Sequence, residues 1–151
     1  SCQCAVHTTT SLCLPQWSTC YLMSLQKWDA PLRYRSPITH LQRYTQVETK
    51  IGDQIIPQGQ LVRAWINSAN HDELQFENGD RFIIDRQPNK HLAFGNGIHF
   101  CLGAPLARLE AKIALRALLE EFPNLRVDST QTLKPIPTLL VHGLESLSVL
   151  L

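Results

Sequence analysis

Phe94-Gly95-Asn96-Gly97-Ile98-His99-Phe100-Cys101-Leu102-Gly103, running on into Ala104-Pro105-Leu106-Ala107-Arg108-Leu109-Glu110, is the stretch whose reading decides the fold. Gly95, Gly97 and Gly103 surround a single Cys. Glycines let a backbone turn tightly and approach a flat ligand with no side chain in the way. Downstream, Leu102, Leu106, Leu109, Ile113, Leu119 and Phe122 recur at helical spacing, while Arg108, Lys112, Arg116 and Glu120 fall on another face. The spacing predicts a helix. Pro105 suits its first turn, where the amide has no intrahelical acceptor, and Pro123 stops it after Phe122. Cys101 therefore sits at a helix N-terminus, where free amides and the dipole favour a thiolate. The amides of Leu102 and Gly103 can point back at the sulfur and tune its donor strength. A lone Cys in a glycine-rich turn reads first as a buried structural thiol; the whole pattern is what points to a ligating sulfur.

The rest of the chain sets bounds on what that sulfur serves. With 151 residues, 44% of them hydrophobic, the chain fits one compact domain. A net charge of +1 with interspersed signs leaves no electrostatic footprint for nucleic acid or an anionic membrane, so a small-molecule partner is expected. No apolar run approaches the roughly 18 residues that span a bilayer. Ser1-Cys2-Gln3-Cys4 has neither a charged nor an apolar leader region, and without an initiating Met it reads as preceded by further residues. Cys2, Cys4, Cys13 and Cys20 crowd the first twenty residues while Cys101 stands alone, so the two groups are read separately.

Residues 1–30 show no sustained period and are read as irregular. Residues 46–51 alternate as a strand, Gly52-Asp53 turns it, and Ile55-Ile56 leads to a Pro57-Gln58-Gly59 turn, with residues 61–66 as the returning strand. Residues 70–90 are polar and read as a long surface loop pinned by Phe76 and Phe82. The tail predicts a hairpin, with a strand at 138–141, a His142-Gly143 turn and a second strand within 144–151.

The ten-residue stretch matches in full the cytochrome P450 signature Phe-Gly-x-Gly-x-His-x-Cys-x-Gly, and Leu106-Ala107-Arg108 and Glu110 continue it as that family's helix does. The resemblance covers about residues 32–151 and is strongest to soluble bacterial members. It implies an α+β fold class: the C-terminal part of a mainly helical fold, with a small antiparallel sheet, a long meander loop, the Cys-ligand loop and the following helix. It also implies a heme cofactor with Cys101 as axial ligand of the iron. Phe94, Gly95, Gly97, Leu102, Gly103 and Ala107 would lie along the heme, with Phe94 beneath the thiolate. His99 and Arg43 would bind propionates, and His91 fits as a heme contact or a structural histidine. Ile38, Thr39, Leu140 and Val141 would line the substrate pocket.

Leu32-Arg33-Tyr34-Arg35-Ser36-Pro37 resembles the end of the family's conserved helix bearing a Glu-x-x-Arg motif. Arg33 matches the arginine, with Arg86 as the second arginine of its ionic network and Arg81 as the alternative. The glutamate should stand at position 30, which is Ala30, followed by a Pro31 that breaks helix interiors. Two buried cations would then face each other unpaired. The domain division is accordingly residues 1–30, not matching the family and read as frame-shifted or non-native sequence, and residues 31–151, the C-terminal portion of a P450 domain. The resemblance implies a heme-thiolate monooxygenase fragment. Its complete form, a cytoplasmic enzyme, would oxidise a small apolar substrate with dioxygen and electrons from a partner such as a ferredoxin or flavoprotein. No segment resembles the family's long central helix, whose acid-threonine pair handles protons, so no catalytic residue beyond the iron ligand falls within the chain. Two alternatives are a non-catalytic remnant that binds heme weakly or not at all, and a zinc-binding interaction module through Cys2, Cys4, Cys13, Cys20 and His7.

Overall fold

The computed structural model describes residues 28–151. The expectations for the N-terminal Cys cluster and for most of the irregular segment lie outside the described residues. Asp29 and Ala30 do not continue that irregular segment; they open helix α1 (Asp29–Tyr34). Pro31 therefore sits in a first turn, where its missing amide costs no intrahelical bond, and does not break the helix.

After α1 the chain forms strand β1 (His40–Tyr44), the β2–β3 hairpin (Thr49–Ile51 and Gln54–Ile56), strand β4 (Leu61–Trp65) and the short helix α2 (Ile66–Ala69). The hairpin turns at Gly52, whose φ of 58° only glycine adopts easily, as the Gly-Asp pair predicts. The returning strand pairs differently from the expectation. β4 runs antiparallel to β1, from His40 opposite Trp65 to Tyr44 opposite Leu61, and the β2–β3 hairpin projects beyond that ladder. Leu41 is the apolar residue of β1 that packs inward, too short a signal to show period 2 against Gln42, Arg43 and Tyr44, all exposed.

Residues 71–96 form the expected long loop, pinned by a buried Phe76 and by Phe82, which meets the Tyr34 ring edge-on at 5.5 Å. Within it Gly79 is indispensable, because a Cβ there would run into the His71 carbonyl. Helix α3 (Ala104–Glu121) follows the Cys loop, with Pro105 in its first turn and Phe122 as its C-cap, as predicted.

The tail departs from a simple hairpin. Ile136 and Gly143, and Lys134 and Glu145, bond across its arms, while residues 138–141 form the tip and not a strand. The end of the chain, β6 (Val149–Leu150), pairs with β5 (Arg126–Val127) just beyond α3. The β5–β6 pairing joins segments more distant in sequence, which local patterning does not reveal.

Among the described residues, four apolar side chains are buried (Ala30, Ile66, Phe76, Ala104) and so are four polar ones (Arg33, Ser36, His40, Asn70). Half of the interior is thus held by hydrogen bonds. The inward side of α3 is Ala104, Arg108, Ala111, Leu115, Leu119 and Phe122, whereas Leu106, Leu109 and Ile113 of the predicted apolar stripe stay exposed. A helix apolar on two sides is built to be covered on both.

Candidate functional site

The Cys loop begins where Leu92 and Phe94 offer their carbonyls. The Gly95 amide donates to Leu92 O at 2.8 Å, and the Cys101 amide donates to Phe94 O at 2.8 Å. Between them the chain reverses through Gly95 (φ 75°) and Gly97 (φ 70°), both in the left-handed region that an L side chain avoids. A Cβ on Gly95 would approach the Leu41 side chain of β1 at 3.9 Å, so the loop lies against the strand that carries Arg43. A single 3-10 turn, Gly97–His99, ends at Phe100, and Gly103 caps α3. The Cys101 thiol is exposed, two residues before that cap.

Around the thiol, Ile98 and Leu102 are almost wholly exposed, at 97% each, and His99 and Ala107 are exposed as well. Phe94 is half-buried against His91 and Phe100, both rings at 6.3 Å, and the Arg108 guanidinium lies 4.6 Å from its ring centre. Such a cation over an aromatic face is attracted by the ring quadrupole. Arg108 is itself held by Asp29, whose carboxylate accepts from Nε and Nη2 at 2.9 Å and from His91 Nε2 at 3.1 Å. His91 Nδ1 accepts from the Ala93 amide at 3.1 Å, so the hydrogen-bond pattern assigns a neutral imidazole with its proton on Nε2. Burial alone would raise the Asp29 pKa, but the donors from His91 and Arg108 outweigh it and hold the carboxyl below its ordinary value. Sequence reasoning missed Asp29. Its signal was weak, one acid in a segment set aside as irregular.

The other predicted residues fall into two groups. Ile38, Thr39, Leu140 and Val141 come together, with Ile38 bridging Val141 and the Thr39 amide donating to Leu140 O at 3.0 Å. Beside them an open groove of about 510 Å³ runs between β1 and the tail tip, lined by Leu41, Arg63, Leu139 and Leu140 among others. Arg43 projects from β1 and folds onto its own strand, donating to Gln42 O at 2.7 Å. His40, which the sequence reading passed over, is buried against Trp65 with ring centres 4.9 Å apart.

Arg33 and Arg86 form the second group. Arg33 is buried and gives its guanidinium protons to the carbonyls of Asn70 (2.6 Å), Gly79 (2.8 Å) and Arg81 (2.9 Å). Burial and then the nearby Arg86 charge push its pKa down. Arg86 donates to Glu77 O and Asn78 O, and its buried Nε has no acceptor. Arg81 contributes a carbonyl. Ala30 lies buried one helical turn before Arg33, on the same side of α1.

Comparison with known proteins gives the family and the fold. The family model described as Cytochrome P450 matches residues 31–148. Cytochrome P450 119 of Sulfolobus acidocaldarius is 45% identical over 125 residues, which cover 83% of this chain and 33% of that protein. The putative cytochrome P450 YjiB of Bacillus subtilis is 46% identical over 124 residues, covering 82% of this chain and 31% of the relative. Among solved structures, that of CYP109E1 from Bacillus megaterium in complex with testosterone superposes with a TM-score of 0.82. The two are 39% identical, and the match covers 90% of this chain and 38% of that one. CYP109B1 from Bacillus subtilis gives a TM-score of 0.81 at 41% identity, over 93% of this chain and 38% of that one. The chain spans about a third of the length of the curated relatives it matches.

Proposed function

The chain belongs to the cytochrome P450 family, and from that premise we propose that residues 94–103 form the thiolate-bearing side of a heme site in the C-terminal part of a monooxygenase. One observation carries the reading: an exposed thiol on a loop turned by two left-handed glycines, at the start of an 18-residue helix. The residues present fit heme on that side. Cys101 is a soft donor, and no cluster of His, Cys, Asp or Glu that could hold a competing metal occurs among the described residues. When bound, heme supplies the activation of dioxygen, which a thiolate ligand favours by pushing electron density onto the iron.

In this reading Cys101 would bind the iron, and Phe94 would pack beneath the sulfur. Gly95, Gly97, Gly103, Leu102 and Ala107 give the loop and helix start a low profile against the heme face. Exposed His99 and Arg43 bind the propionates by charge-assisted hydrogen bonds. Ile38, Thr39, Leu140 and Val141 contact a small apolar substrate, with Leu140 the one of the four that lines the groove beside β1. Arg33 and Arg86 make up the structural ionic network. The complete enzyme takes electrons from a ferredoxin or flavoprotein partner and works in the cytoplasm. Among the described residues no helix is long and apolar enough to cross a membrane. The start of the family match at residue 31 supports dividing the chain there.

A second reading, a non-catalytic remnant, is favoured by one specific feature. With Ala30 in place of an acid, Arg33 and Arg86 lie side by side and the Arg86 Nε is left without an acceptor. Hemin titration of the purified chain followed by the absorption spectrum of its reduced, carbon monoxide-bound form separates the two. A thiolate-type Soret band in the wild type that is lost in Cys101→Ala supports the site. Absence of hemin uptake rejects it for this chain.

A further inference from the structure

Asn70, read from the sequence as the start of a surface loop, is wholly buried and uses every polar group it has. Its amide donates to Ile66 O at 2.9 Å, and its carbonyl accepts from Arg33 Nη1 at 2.6 Å. On the side chain, Nδ2 donates to Ser36 Oγ at 2.8 Å and Oδ1 accepts from the Leu92 amide at 2.8 Å. Ser36 Oγ in turn donates to Leu32 O at 2.8 Å. That sequence fixes the orientation of the Asn70 carboxamide. The Ser36 hydroxyl has spent its proton and can only accept, while the Leu92 amide can only donate, so a flipped carboxamide would lose both bonds.

Leu92 is where the Cys loop takes hold. Its carbonyl accepts from Gly95, and two residues on, the carbonyl of Phe94 accepts from Cys101. Beyond that point the loop is exposed from Asn96 through Gly103 and has few other anchors, the principal one being Arg108 over the Phe94 ring. We propose that Asn70 is a positioning residue for the Cys101 loop: by holding the Leu92 amide it sets where the Leu92–Gly95 turn begins, and hence where the sulfur stands relative to β1 and α3. Its importance for heme rests on the reading of Cys101 as the iron ligand, whereas its effect on the loop does not.

Amide hydrogen exchange on the whole chain tests this without heme. In Asn70→Ala, exchange at Leu92, Gly95 and Cys101 is expected to speed up by about tenfold, the effect of losing one hydrogen bond, while the β1–β4 ladder and α3 keep their protection. Asn70→Asp keeps an acceptor for Leu92 but loses the donor to Ser36 Oγ, and should restore part of the difference at Leu92, a rescue that a general loss of packing would not show. Unchanged exchange at Gly95 and Cys101 in Asn70→Ala overturns the proposal. Should Asn70→Ala lose protection everywhere, Ser36→Ala decides: it removes the acceptor that orients the carboxamide together with one bond to Leu32 O inside the α1 end, so a selective rise at the Cys loop supports the proposal and no rise there overturns it. With hemin added, the carbon monoxide spectrum of Asn70→Ala should divide between thiolate and non-thiolate forms where the wild type shows one. Failure of every variant to take up hemin rejects the heme reading and leaves the exchange result standing.

Discussion

The interior around Arg33 and Asn70 and the face around Cys101 are closed to different degrees. In the interior, Arg33 reaches three carbonyls and Asn70 satisfies all its groups, with partners up to 48 residues away in the sequence. At the Cys101 face, Ile98, Leu102, Leu106, Leu109 and Ile113 stand in water. Arg33 and Asn70 are satisfied because their partners, four backbone carbonyls, the Leu92 amide and the Ser36 hydroxyl, are groups that this chain supplies itself. The apolar face needs other surfaces, because a helix buries its second side only against another layer. A chain with a third of its relatives' length can thus keep the polar knot of the fold while leaving the Cys101 face open.

The comparison breaks most readily at Arg33. Arg33→Met keeps the volume but leaves the carbonyls of Asn70, Gly79 and Arg81 without their donor, and should lower stability by on the order of 3 kcal/mol in urea unfolding. A loss of less than about 1 kcal/mol would mean that the knot is held by something else. The next effect has the opposite sign. Ala30→Glu places a carboxylate on the buried side of α1 one turn before Arg33, whose guanidinium feels the Arg86 charge, and the Arg86 Nε lacks an acceptor. The substitution should raise stability by about 1.5 kcal/mol, the low end of the range for hydrogen bonds to charged groups. No gain in the unfolding midpoint would show that the carbonyls already satisfy Arg33 and that the acid has become dispensable here.

Much of this could be read in advance, and what could not has a physical cause. The Cys loop and α3 were legible because glycine, proline and the 3.6-residue period act locally, and the positive φ at Gly95 and Gly97 is what those residue types are for. The β2–β3 hairpin was legible for the same reason. The β1–β4 and β5–β6 pairings were not, since nothing in strands of two to five mostly exposed residues names a partner strand. Asn70 and Asp29 were missed because burial of a polar residue is decided by distant partners. At Asn70 these are Ser36 and Leu92, 34 and 22 residues away.

Asp29 gives a smaller effect that depends on pH. Its lowered pKa means that between the folded and unfolded values the unfolded chain binds more protons, so the ion pair with Arg108 and the hydrogen bond from His91 favour the fold above the unfolded value of about 3.9. The contribution fades as pH falls through the lower, folded value. Because the carboxylate is partly in water, Asp29→Asn should cost only about 0.5 kcal/mol at neutral pH, with wild type and variant converging in acid below about pH 4. A difference that persists unchanged at low pH would assign the effect to packing and not to the charge.

The smallest effect is expected on the open face, and it tests the contrast from the other side. Leu106→Ala with Leu109→Ala removes two side chains that are 58% and 53% exposed, so little buried contact is lost, and Ala favours the helix slightly over Leu. Unfolding of the double variant should match the wild type within about 0.5 kcal/mol. Leu115→Ala on the half-buried side of α3 should cost more than the pair together, since its contacts exist in the folded chain. If instead the double variant loses about 2 kcal/mol or more, those leucines are packed in solution. A wild-type midpoint that rises with protein concentration would then place the covering surface on another molecule. The exposed thiol of Cys101 would share that cover, and hemin would have to compete with it.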